Sequence, residues 1–163
     1  MIIESLKPLA VPIDSVRKDP RNARLHPERN LETIKKSLSH FGQRKPIVVN
    51  QEGIIEAGNG LWKSAKQLGW TEIAVVRVED TPEDATAFAI MDNQSALLAE
   101  WDLPQLKDQL LELDTGAFDM DLTGFDVKEI EALMTQFNPE PNQPEVDENI
   151  ETENKCPKCG YVW

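Results

Sequence analysis

Three groups of residues have the types and spacing that chemistry requires. The first is the turn Gly58-Asn59-Gly60, which leads from the apolar run Ile54 to Ala57 into a helical pattern carrying Lys63. Such a turn leaves backbone N–H groups free at the positive end of a helix dipole and can hold a phosphate, although a tight connection uses the same residues. The second is Cys156-Pro-Lys-Cys159-Gly160, a spacing that lets two thiolates reach one zinc ion while the glycine reverses the chain. A redox pair or a vestigial half-ribbon is spelled the same way. The third is the basic set Arg17, Lys18, Arg21, Arg24, Arg29, Lys35, Lys36, Arg44 and Lys45. These side chains could make salt-sensitive, sequence-indifferent contacts to DNA phosphates, or simply be a solvated face. Each histidine, His26 in the basic turn and His40 at a helix end, reads first as an ordinary surface residue.

The elements that must position these residues follow from periodicity. A chain of 163 residues holds one ordinary domain plus appendages. Val11 to Val16 alternates as a short strand, and Asp19-Pro20 begins a polar turn. From Pro27 to Phe41 the spacing of Leu31, Ile34, Leu38 and Phe41 predicts a helix closed by Gly42, with Lys35 and Lys36 outward. Pro46 to Asn50 and Ile54 to Ala57 flank Gly53 as a hairpin. The glycine turn then opens a helix from about Leu61 to Leu68, and Glu72 to Val78 reads as an interior strand. Thr81-Pro82-Glu83-Asp84 starts a helix running to about Ala99. Shorter helices are expected at Leu103 to Leu113 and Asp126 to Phe137, the latter opened by Asp126 with Glu129 three residues on.

Charge is divided along the chain. Residues 1–70 carry 12 Lys and Arg against 7 Asp and Glu, whereas residues 71–163 carry 5 against 22. A polyanion should therefore meet the first half. From Asn138 to Asn154 three prolines and many acids accompany only Val146 and Ile150, which predicts a disordered acidic linker before the cysteine-bearing end. No apolar run approaches the roughly 20 residues of a membrane-spanning helix, and the opening residues lack a signal-peptide pattern, so a cytoplasmic location is expected.

The order of these pieces resembles the ParB N-terminal domain of the ParB/sulfiredoxin superfamily. Asp19-Pro-Arg-Asn-Ala-Arg24, followed by the helix and Gly42-Gln-Arg-Lys-Pro-Ile-Val-Val, is similar to its first motif. Ile54 to Ala65 is similar to the second, and Met91-Asp-Asn-Gln94 to the acidic residue and Asn that close the nucleotide site. Trp101-Asp102 and Thr123-Gly-Phe125 resemble the phage-type domains found beside DNA methyltransferases.

The resemblance implies an α/β fold, a mixed sheet flanked by helices, followed by short helices and a flexible acidic tail. It divides the chain into a ParB-like domain at 1–101, a helical extension at 102–137, the linker at 138–154 and a zinc-knuckle-like tail at 155–163. It also implies a nucleotide or phosphate site at Arg24, Gly58, Asn59, Gly60, Lys63, Asp92 and Asn93, with Mg²⁺ on the last two if a triphosphate is held.

One departure matters. Leu61 stands where the family has its terminal arginine, which removes the planar donor fork suited to phosphate. Neither Asn59 nor Gly60 can replace the catalytic cysteine of sulfiredoxin. The leading expectation is thus a DNA-associated adaptor of phage or mobile-element type, beside a DNA-modifying enzyme such as a methyltransferase, with a degenerate nucleotide site. A Mg-dependent nucleotide hydrolase or phosphotransferase, a ParB-like nuclease, and a homodimer joined by zinc at Cys156 and Cys159 are the alternatives. No helix-turn-helix reader is evident in the sequence.

Overall fold

The computed structural model describes residues 1–136 and 156–161; the expected linker at 138–154 and the final two residues, Val162 and Trp163, lie outside the described residues. Five strands form one mixed sheet in the order β1-β5-β3-β4-β2. They are β1 (Ala10–Pro12), β2 (Arg17–Lys18), β3 (Ile47–Val49), β4 (Ile54–Ala57) and β5 (Glu72–Arg77). Of the expected strand from Val11 to Val16 only Val11 and Pro12 are extended, in β1; the 3-10 turn Ile13–Ser15 follows, and β2 then lies at the opposite edge of the sheet. Pro12 lacks an N–H donor, so it suits an edge strand. The hairpin is antiparallel, with Val48 opposite Ala57 and Val49 opposite Ile55, and Gly53 turns it at φ 78°.

One sheet face is packed by two helices, α1 (Glu28–Phe41) and α2 (Asn59–Gln67). Ile47, Val49, Ile55, Ile73 and Val75 point into a core with Ile13, Val16, Leu38 and Ala65, as period-two strands facing period-3.6 helices require. Leu61, Trp62 and Trp70 close its margin. Two bonds tie the helices in place: Trp62 Nε1–H donates to the Ile13 carbonyl at 3.2 Å, and Ser64 Oγ–H to the Leu31 carbonyl at 3.4 Å.

Helix α3 (Pro82–Leu98) packs over β4 on the other face. Thr81 caps it, its hydroxyl accepting from the Asp84 N–H at 3.2 Å. None of its residues is buried, and Ile90, Met91, Leu97 and Leu98 stay exposed. The chain continues into α4 (Leu103–Leu113), a 3-10 turn at Met120–Thr123 and α5 (Val127–Gln136). At α5 the expected capping box is complete. The Asp126 N–H donates to Glu129 Oε2 at 2.7 Å, and the Glu129 N–H donates to Asp126 Oδ1 at 2.9 Å. The 3-10 turn packs on α1, where Gly124 approaches Thr33. Among the described residues no helix is long and apolar enough to cross a membrane.

Gly58 joins β4 to α2 at φ 101°, and a Cβ there would lie 2.4 Å from Ile47 Cγ2. Gly69 also has positive φ, at 75°, but nothing lies within 4 Å of its missing Cβ. Gly69→Ala should therefore cost only the conformational term, about 1 kcal/mol, and Gly58→Ala at least about 2 kcal/mol because a steric term is added. Urea denaturation of the two variants checks the order.

Candidate functional site

The site grows from the β4–α2 connection. Because Gly58 bends the chain at positive φ, Asn59 and Gly60 enter the first turn of α2 with their N–H groups unclaimed by the helix. Gly60 is there for space rather than for φ. A Cβ on it would meet the His26 ring at 2.7 Å and Ile34 Cδ1 at 3.1 Å. His26 is held over this turn by a 2.8 Å bond between Nδ1 and Asn30 Oδ1.

A cavity of about 210 Å³ opens here, and its walls include Arg24, Gly58, Asn59, Gly60, Asp92 and Asn93. Six of the seven residues expected to bind nucleotide are thus brought together from the 19–27 loop, the turn and α3. Lys63 is not among them. It lines an outer cavity of about 480 Å³ with Lys18, Arg24, His26 and Trp62, which shares Arg24, His26 and Asn59 with the inner one. Leu61 lines the inner cavity and packs against the core, so no donor replaces the arginine at that point. Asn93 Nδ2 donates to the Ala89 carbonyl at 2.8 Å, which leaves its amide oxygen for a ligand. With Asp92 beside it, that oxygen is a donor set suited to Mg²⁺.

Sequence reasoning missed Glu56. It alternates outward from the core face, as a polar strand residue should, yet α3 covers it and it is 8% exposed. It lines the inner cavity and its neighbour of about 270 Å³. Its Oε2 and the Oδ1 of Asn59 are buried without a hydrogen-bond partner. Burial, then Asp80, then Asp19 push the Glu56 carboxyl above its ordinary titration range. Nothing local in Ile54-Ile-Glu-Ala signals this, because burial is imposed by a helix beginning 26 positions later.

The basic set is not left as one free surface. Arg29 donates to Glu129 Oε2 at 2.6 Å and lies 3.4 Å from Asp126. Lys36 pairs with Asp121, and Lys35, expected to point outward, pairs with Glu32 and has a side chain only 20% exposed. The hydrogen bond and charge of Glu129 hold the Arg29 guanidinium more firmly protonated, and Asp121 does the same for Lys36. Arg21 lies 3.8 Å from Asp19, Arg44 sits over the Phe41 ring at 4.8 Å, and Arg17, Lys18 and Lys45 are exposed. At the far end Cys156 and Cys159 are free thiols. The N–H groups of Lys158 and then Cys159 lower the Cys156 thiol titration. Among the described residues no group of three or more His, Cys, Asp or Glu is placed to hold a metal ion.

The fold is similar to that of the C-terminally truncated chromosome-partitioning protein ParB from Caulobacter crescentus complexed with CTP-gamma-S. The two share 19% identity over 77% of this chain and 75% of that one, with a TM-score of 0.64. The likeness is one of fold, an α/β unit built like that ParB chain. The Caulobacter protein complexed to the centromeric parS site aligns at 20% identity over 77% of this chain and 64% of that one, TM-score 0.45. A Pnob8-like ParB N-domain aligns at 16% over 78% and 59%, TM-score 0.46. No curated protein matches the sequence. The family model of the ParB-methyltransferase HTH domain matches residues 104–158. This corrects the expectation that no helix-turn-helix module follows the ParB-like domain, and the match runs across the boundaries drawn at 137 and 154. Within the matched residues, α4 and α5 are separated by a 13-residue connection, 114–126.

Glu56 generates a pH prediction. Its folded-state titration lies above its unfolded value, so the folded chain binds the extra proton between the two and stability falls as pH rises through that window. Glu56→Gln should therefore be more stable than wild type at neutral pH, with the gain vanishing toward acid. Thermal melts between pH 4 and 8 check it, and a gain that persists undiminished at acid pH would exclude this cause.

Proposed function

We propose that this chain is a DNA-associated adaptor of the ParB type, acting beside a DNA-modifying enzyme such as a methyltransferase. The observation that carries the reading is the joining, in one chain, of a ParB-like fold to a segment matching the ParB-methyltransferase HTH domain. In this reading residues 1–101 form the ParB-like domain, and the helices from 102 to 137 belong to the DNA-contacting part. Phosphate contacts are supplied by exposed cations such as Arg17, Lys18, Arg21 and Lys45, while Arg29, Lys35 and Lys36 must first exchange their carboxylate partners for phosphate. A soluble, cytoplasmic protein of phage or mobile-element origin suits this role.

A second reading, nucleotide binding at the inner cavity, is favoured by the convergence of Arg24, the Gly58–Gly60 turn, Asp92 and Asn93. The Caulobacter relative is complexed with a CTP analogue. Here the turn N–H groups and Arg24 would bind phosphate oxygens, and Asp92 and Asn93 would hold Mg²⁺, which would screen the phosphate charge. Leu61 weakens the site by withholding a bidentate donor.

DNA binding is tested by fluorescence anisotropy on a random duplex between 50 and 200 mM salt. Three to five phosphate contacts give a slope of log affinity against log salt of about −3 to −5; a flat curve removes the adaptor's DNA role. In the triple variant Asp121→Asn, Asp126→Asn, Glu129→Gln, with Lys36 and Arg29 released, the slope should steepen by about 2. No change would show that α1 does not face DNA.

Titration calorimetry with CTP, ATP and GTP plus Mg²⁺ tests the second reading, using wild type and Leu61→Arg. Micromolar binding by wild type supports a working nucleotide site. Binding by Leu61→Arg alone supports a retired pocket and leaves the adaptor reading in front, and binding by neither form of a variant that still melts cooperatively removes nucleotide binding.

A further inference from the structure

We propose that Glu56 and Asn59 read the exocyclic amino edge of a cytosine or adenine ring, bound in the cavity beside the Gly58–Gly60 turn. The inference rests on the nucleotide reading of the inner cavity and adds to it what selects the base.

Two cavities meet at these side chains. The inner one of about 210 Å³ contains the turn, and the adjoining one of about 270 Å³ shares Asn22, Arg24, Glu56, Asn59 and Asn93 with it. A phosphate held at the turn therefore has the second space next to it for the group that it carries. That space is walled by Ala23 of the loop and by Ala89, Ile90 and Leu97 of α3, apolar surfaces that suit the faces of a flat ring. Where the cavities join, Glu56 and Asn59 are each only 8% exposed. Glu56 Oε2 and Asn59 Oδ1 are buried there without a hydrogen-bond partner.

Both orphaned atoms are acceptors, and that decides the class of ligand. Asn59 Nδ2 donates to the Ile55 carbonyl at 3.5 Å, so the amide oxygen is the end left over. Three neighbouring donors are already engaged: Asn22 Nδ2 with the Arg24 carbonyl at 3.2 Å, Thr86 Oγ1 with Pro82 at 2.8 Å, and Asn93 Nδ2 with Ala89 at 2.8 Å. Arg24 serves the phosphate in the nucleotide reading. An exocyclic amino group brings two N–H donors to such acceptors. A ring carbonyl in its place would set oxygen against oxygen and leave the acceptors desolvated and unpaired. Sites built to bond a polar group reject the analogue lacking it more strongly than apolar pockets reject a change of size. Besides burial, the charges of Asp80 and Asp19 act on the Glu56 carboxyl, and a negative potential favours an N–H there over a carbonyl oxygen.

The test is calorimetry on the full chain with Mg²⁺ and two pairs of nucleotides, CTP with UTP and ATP with ITP, in which the amino edge becomes a carbonyl edge. Inorganic tripolyphosphate measures the phosphate cradle alone. In at least one pair the amino member should bind about tenfold tighter or more. Glu56→Leu, checked for a cooperative melt, should bring that pair to within about twofold while tripolyphosphate binds no more weakly. Glu56→Gln, whose amide can turn its N–H groups toward a carbonyl, should raise UTP and ITP binding selectively. Equal binding within both pairs, or a preference untouched by Glu56→Leu, would overturn the proposal. Tripolyphosphate bound in either case leaves the phosphate part of the nucleotide reading standing. Should no nucleotide bind, the four nucleosides are compared at millimolar concentration by saturation-transfer NMR. A preference for cytidine or adenosine over its carbonyl counterpart, lost in Glu56→Leu, keeps the base pocket without the phosphate site; no such preference overturns it.

Discussion

The close approach of Gly58 to Ile47 is the constraint on which the rest of the structure depends. Only a residue without Cβ can pass there, and only one free to take positive φ can then start α2. With α2 started at that point, Trp62 reaches the Ile13 carbonyl and Ser64 reaches the Leu31 carbonyl, so the helix is pinned to the N-terminal edge and to α1 at once. Asn59 and Gly60 are left facing the 19–27 loop and α3. A cavity results from this geometry rather than from any one side chain. Leu61 lines the cavity and is turned partly into the core that the helix covers.

The divided charge of the sequence is resolved inside the molecule. Acidic residues from the second half, Asp121, Asp126 and Glu129, reach back to Lys36 and Arg29 of α1. Exposed pairs of this kind contribute about 0–1 kcal/mol each and weaken with salt. They hold the extension against α1 loosely enough for a polyanion to compete. A net charge of −12 therefore does not argue against DNA association, since the acids that produce it are in part local competitors for the same cations.

Buried polar groups separate the two sheet faces. Gln43 is fully buried, its Nε2 donating to the carbonyls of Ala74 at 2.9 Å and Lys45 at 3.0 Å, and its Oε1 accepting from the Ala74 N–H at 2.8 Å. Every polar atom of that side chain is satisfied, so it stabilises the junction of α1 with β5. Glu56 is the opposite case, with Oε2 unpartnered and other carboxylates nearby. A satisfied group reads as architecture, and an unsatisfied one at a cavity wall reads as a cost retained for a reason other than stability.

By itself the sequence determined what local interactions decide. The caps at Thr81 and Asp126, the Gly53 hairpin, the apolar stripes of α1 and α2 and the glycine turn all depend on residues within a few positions of each other, so their spacing alone specifies them. The resemblance in motif order extended this to the fold, and six of the seven residues it singled out meet at one cavity. Tertiary structure alone decided the burial of Glu56 and Gln43, the displacement of Lys63 to the outer cavity, and the pairing of Lys36 with Asp121, 85 positions away. Desolvation and long-range pairing depend on which distant elements arrive at a residue, and that information is not carried in its neighbours along the chain.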